Sequence, residues 1–110
     1  MTTSTQNKIA ELNDRFRKDF SLGMLQLSNR VSAMDASKLT ALTEAIANFD
    51  NFTQDNDPWG ERDFGSIELE GDLLFWKIDY YDLQLEMHSE DPSDSSKTHR
   101  VMSVMFANEY

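Results

Sequence analysis

The chain has 110 residues, no cysteine and a net charge of −10 at neutral pH, with 39% apolar and 27% charged residues. That length makes one domain, residues 1–110, with a core of moderate size. The missing cysteines exclude disulfides, thiolate chemistry and cysteine-based zinc sites and set a cytoplasmic compartment as the expectation, and no segment is apolar for long enough to be a signal peptide or a membrane span.

Thr5 is a candidate N-cap for a first helix over about Gln6 to Phe20, in which Ile9, Leu12, Phe16 and Phe20 recur at helical spacing. Glu11 with Arg15, and Asp14 with Lys18, form i,i+4 pairs, and Arg15, Arg17 and Lys18 read as its basic, solvated face. Gly23 to Val31 has Leu25 and Leu27 alternating with polar neighbours, which predicts a short strand, although propensity alone also allows a helix. Asp35 can cap a second helix over about Ala36 to Asn48, with Leu39, Leu42, Ile46 and Phe49 as its apolar stripe. Phe64 to Glu70 alternates apolar and acidic positions, Gly71-Asp72 reads as a turn, and Leu73 to Tyr80 returns as the second arm of a hairpin. Leu74, Trp76, Ile78 and Tyr80 then share the core face, leaving Phe75, Lys77 and Asp79 on the other. Leu83, Leu85 and Met87 alternate again, as a third short strand or an extended edge would. Ser89 to Ser96 reads as a loop, and Val101, Val104, Met105 and Phe106 predict a final helix over about Ser96 to Asn108. The order α-β-α-β-β-(β)-α implies an α+β fold: a small antiparallel sheet of three or four strands with about three helices packed on it.

Charge is unevenly placed along the chain. Residues 1–50 carry six basic and six acidic side chains, whereas residues 51–110 carry four and fourteen, so the whole net charge lies in the second half. Phosphate binding needs a basic surface, so nucleic acid is excluded as a direct ligand. A basic protein surface, including another protein's nucleic-acid groove, is the partner this charge suits.

The runs Phe49-Asp50-Asn51-Phe52-Thr53, Asn56-Asp57-Pro58, Gly60-Glu61, Asp63-Phe64-Gly65 and Phe75-Trp76-Lys77-Ile78-Asp79-Tyr80-Tyr81-Asp82 carry a resemblance that covers nearly the whole chain. Leu12 to Phe16, Thr98 to Val101 and Asn108 to Tyr110 belong to it as well. The sequence resembles a proteobacterial family of domains of unknown function. That resemblance implies a stand-alone bacterial domain, often carried on mobile elements, and brings no catalytic residues with it.

The densest acidic stretch, Asp55 to Gly65, fails as an EF-hand loop. With Asp55 and Asp57 as the first and third ligands, Gly60 falls correctly, but Trp59 occupies a ligand position and Ser66 stands where a bidentate Glu is required. A looser oxygen-ligand metal site from Asp55, Asp57, Glu61 and Asp63 is the alternative to a plain acidic turn, with Trp59 over the core edge or exposed as a contact residue. Glu61 and Asp63 beside Trp59 have no nucleophile or oxyanion device with them, so no catalytic residues are assigned. His88 and His99, the two histidines, stand eleven residues apart on different elements and make an incomplete zinc site. The remaining candidates are carboxylates placed to project from the sheet: Glu68, Glu70, Asp72, Asp79, Asp82 and Glu86, with Tyr80 or Tyr81 as an aromatic anchor. The expected function is a cofactor-free, acidic interaction domain, in its sharpest form an anti-CRISPR or anti-restriction inhibitor that mimics nucleic acid and occupies a basic groove; the alternative is a metal-binding module or metal-dependent enzyme built on Asp55, Asp57, Glu61 and Asp63. Asp57, Trp59, Glu61 and Asp63 are the interaction domain's secondary contact candidates.

Overall fold

The structure, a computed structural model, describes residues 4–110. Three helices, α1 (Ser4–Lys18), α2 (Asn29–Ser32) and α3 (Ala36–Asn48), pack against a four-stranded sheet of β1 (Met24–Leu27), β2 (Phe64–Leu69), β3 (Asp72–Tyr81) and β4 (His99–Phe106). The strand order is β1-β4-β3-β2; β4 pairs antiparallel with β3 and parallel with β1, so the sheet is mixed rather than purely antiparallel. Among the described residues no helix is long and apolar enough to cross a membrane.

The predicted final helix is a strand, and a central one. Arg100, Met102, Val104 and Phe106 stand opposite Tyr80, Ile78, Trp76 and Leu74 and point at the helices, while Val101 and Met105 occupy the other face. A central strand with apolar residues on both faces loses its alternation, so Val101, Val104 and Met105 imitate a helical stripe. Thr5 lies inside α1 instead of capping it, and the predicted Gly23–Val31 strand stops at Leu27, where Ser28 caps α2 by accepting from the Val31 N–H at 3.2 Å. Asp35 caps α3 as expected, accepting from the Lys38 N–H at 2.9 Å.

The hairpin turn is also displaced by one residue. Leu69 pairs with Asp72, so the turn residues are Glu70 and Gly71, both with positive φ (52° and 86°). Paired left-handed residues match the right-handed twist of the strands they join.

The core lies between helices and sheet. Ile9 and Phe16 of α1, Val31 of α2, and Leu42 and Ile46 of α3 close over Leu74, Trp76, Ile78, Met102 and Val104. Burying each such aliphatic side chain contributes about 2 kcal/mol.

The basic face predicted for α1 is broken by Arg17, which is only 3% exposed. Its guanidinium donates to the carbonyls of Ile46 (2.7 Å) and Phe49 (2.8 Å), satisfying the C-terminal end of α3, and to Asp14 (2.8 Å). It also stacks 5.3 Å from the rings of Phe52 and Trp76. Glu11 and Arg15 pair as expected at 2.6 Å, but Asp14 turns to Arg17 and Arg62 rather than to Lys18.

Candidate interaction surface

The acidic stretch after α3 is built as a turn. Asp57 Oδ1 accepts from the backbone N–H groups of Glu61 (3.0 Å) and Arg62 (3.1 Å), and left-handed Gly60 and Arg62 complete the reversal. Glu61 Oε1 accepts from the Tyr80 hydroxyl at 2.8 Å. Asp55 is exposed, and Trp59 projects into solvent at 69% exposure. Asp57 and Glu61 are thus spent on internal hydrogen bonds, and Asp55 stands apart. Among the described residues no group of three or more histidine, aspartate or glutamate side chains comes together in a way that could hold a metal ion.

Behind that turn lies a buried polar chain that the sequence did not advertise. Asn13 Nδ2 donates to the Glu61 carbonyl (2.9 Å) and the Tyr80 hydroxyl (2.8 Å), while Arg100 Nε donates to Asn13 Oδ1 (2.7 Å). Arg100 also donates to the Pro92 carbonyl, so one chain of side chains ties the 57–63 turn, α1, the sheet and the 89–98 loop together. Burial raises the Tyr80 hydroxyl above its ordinary range and lowers the Arg100 guanidinium. Asp63, with burial and the neighbouring Glu61 carboxylate acting on it, rises to about 6. Asn13 and Arg100 could have been flagged only as polar residues falling on predicted apolar faces.

The carboxylates predicted to project together are divided by the fold. Alternation along β2 and β3 puts Glu68, Asp79 and Tyr81 on the face away from the helices, with Lys77 beside Asp79 at 3.4 Å. Glu70, sitting in the turn, swings to the helix side and pairs with Lys38 at 3.0 Å, and Asp72 adds its charge to the same lysine. No single row of carboxylates results.

Asp79, Tyr81 and Asp82 follow one another at the far end of β3, and Glu86 lies in the loop beyond them, its N–H on the Asp82 carboxylate. Leu83 to Met87 is a closed loop rather than a strand. The Asp82 N–H donates to the Met87 carbonyl (2.8 Å), Leu85 N–H to the Asp82 carbonyl (3.0 Å), and Glu86 N–H to Asp82 Oδ1 (3.0 Å). Leu85 is held at φ 59°, a conformation unfavourable for a branched side chain. This framework points Leu83 (55% exposed), Leu85 (41%) and Met87 (71%) into solvent; Asp82 and Glu90 stand beside Leu83 and Met87, with Lys97 paired to Glu90 at 3.6 Å. A shallow cleft of about 450 Å³ opens beside Leu83, Met87 and His88. The two histidines stay apart: His99 on β4 and His88, in an isolated bridge, are register partners of Tyr81 on its two sides, and the His88 ring packs edge-on to Tyr80 at 6.2 Å.

A model of a protein family of unknown function, DUF3768, matches residues 27–109. The chain belongs to the DUF3768 family. The matched span includes the hairpin, the acidic turn, the Asp82–Met87 loop and β4. No curated protein and no solved structure matches the chain.

Proposed function

We propose that this DUF3768 member is a small acidic protein-interaction domain that docks on a basic partner through the Asp82–Met87 loop and the adjoining Asp79 and Tyr81. The observation that carries this reading is the loop itself. It spends three internal hydrogen bonds and a left-handed leucine to hold three apolar side chains in water. Exposed apolar groups rimmed by charge are the anatomy of a contact site, with the apolar anchors supplying affinity and the rim supplying steering. The carboxylates of Asp82, Glu86 and Glu90 make the matching rim basic.

The sharper form, an inhibitor of the anti-CRISPR or anti-restriction type that mimics nucleic acid, draws support from the one-sided charge of residues 51–110. The layout of the carboxylates supports docking by an anchored loop better, because Glu70 and Asp72 face Lys38 instead of lining up with Glu68.

Affinity capture of the tagged chain from a bacterial lysate, washed at low and at high salt, tests the reading. One basic partner that is enriched, and that weakens as salt rises, is the expected result. Loss of that partner in the presence of competing DNA identifies groove occupation. A partner held without regard to salt, or none for any bacterial host in whose relatives the family occurs, contradicts the proposal.

A further inference from the structure

The sheet face turned away from the helices is not an ordinary solvated face. Across the middle of the hairpin, away from its tip, the rings of Phe64, Phe75 and Tyr110 form one cluster, with centroids 5.3, 5.5 and 6.4 Å apart. Leu73 stands exposed beside them, and Met105 is the register partner of Phe75. Solvent-facing strands normally alternate apolar-in with polar-out, so an aromatic cluster with exposed Leu73 and half-buried Met105 beside it marks a surface that is covered in use.

The charges on this patch are few and nearly balanced. Lys77 and Asp79 already pair at 3.4 Å, and Glu68 lies further toward the turn. A strongly basic partner therefore gains little here, in contrast to the Asp82–Met87 loop. The register is instead self-complementary. Phe75 pairs with Ser66; one step along, Lys77 pairs with Phe64, and one step back, Leu73 pairs with Glu68. A two-fold axis lying across the strands at the Phe75 row exchanges those two flanking rows. Lys77 of each copy then lies over the row holding Glu68 of the other, and the Phe75 ring with the Tyr110 ring packed 5.5 Å from it meets its symmetry mate. Sheets pack face to face about 10 Å apart, a gap that lysine and glutamate stems span together.

We propose that this patch is a homodimer interface, in which two copies of the chain pack their open sheet faces about a two-fold axis at Phe75, with reciprocal Lys77–Glu68 pairs. The interface is isologous, as in most small homo-oligomers. Each copy carries ten net negative charges, which oppose association at long range. Salt screens that repulsion, so the dimer tightens as salt rises, the reverse of the salt response of docking on a basic partner.

Sedimentation of the full chain over a concentration series, at low and high salt, reads the dimer directly. The expected results are a dimer mass favoured by salt, and a dissociation constant raised roughly tenfold or more by either Leu73→Glu or Lys77→Glu. The exchange Lys77→Glu with Glu68→Lys restores the dimer, an outcome that a folding defect cannot mimic; thermal melts of each variant confirm that the monomers are folded. A monomer at every concentration and salt overturns the proposal, as does a dimer that Leu73→Glu and Lys77→Glu leave unchanged. Because Leu83 and Met87 lie at the opposite end of β3, either failure leaves the docking reading intact, and failure of docking leaves the dimer intact.

Discussion

Gly65 and Trp76 are register partners on β2 and β3, and a Cβ at residue 65 would stand 2.5 Å from the Trp76 indole nitrogen. That indole is fully buried, with Phe49 and Phe52 edge-on to it at 5.7 and 6.2 Å and the Arg17 guanidinium over it. The glycine is therefore a packing requirement of the tryptophan.

Gly65→Ala is expected to destabilise the domain by about 1–3 kcal/mol, the usual cost of overpacking a filled site. In the Gly65→Ala background, Trp76→Phe should cost less than it does alone, because the smaller ring gives back the space. Urea denaturation of the two single variants and the double variant measures this coupling, and additive effects would refute it.

Arg17→Ala should cost about 3 kcal/mol. It leaves the Phe49 carbonyl without its donor and the Ile46 carbonyl with only the Phe49 N–H at 3.3 Å, strips Asp14 of a partner and opens space beside Trp76. Arg15→Ala, which breaks only the exposed pair with Glu11, should cost less than about 0.5 kcal/mol. Comparable losses from the two, measured by the same denaturation, would show that Arg17 is as superficial as its neighbour.

Asp63 gives the domain a signed pH dependence. Its carboxyl is raised from the ordinary value of 3.8 to about 6 by burial, then by Glu61, so the folded state holds the proton more tightly than the unfolded chain does. The stability this contributes is complete below the ordinary value and is lost as pH rises through about 6. Asp63→Asn should then raise Tm at pH 7 and change it little near pH 4. A variant with the opposite order would show that the ionised carboxylate is the favoured form.

Much of this fold is written in local signals that the tertiary structure leaves unchallenged. Asp35, the α3 stripe and the alternation of Leu74, Trp76, Ile78 and Tyr80 each have a single reading, and each forms as expected. β4 fails for a physical reason: a strand flanked on both sides and apolar on both faces carries no period of its own. Arg17 hides among solvated arginines, because only the arrival of the α3 C-terminus makes its burial favourable. The arrangement of the acidic residues is only partly legible: Asp79, Tyr81 and Asp82 follow one another at the end of β3, but the one-residue displacement of the turn puts Glu70 beside Lys38, on the side where Asp72 stands, and away from Glu68. Leu83, Leu85 and Met87 alternate as a strand or an extended edge would, but the Asp82 carboxylate on the Glu86 N–H holds them in a loop.

Leu85 tests whether that loop stores strain. At φ 59° a leucine costs about 1 kcal/mol relative to glycine, so Leu85→Gly should leave stability unchanged or raise it by up to that amount, despite loss of a large side chain. A Tm drop of several degrees would mean that the side chain packs against its own domain, and the contact role assigned to it would fall.

Leu83 and Met87 are the proposed anchors for a basic partner. The most direct measurement is calorimetric titration of the captured partner with the native chain and with the Leu83→Ser, Met87→Ser double variant, alongside Glu70→Gln as a control at the other end of the hairpin. The expected result is an affinity at least tenfold weaker for the double variant, unchanged melting behaviour, and native affinity for Glu70→Gln. Native affinity in the double variant, or an equal loss in Glu70→Gln, would show that Leu83 and Met87 are not the anchors.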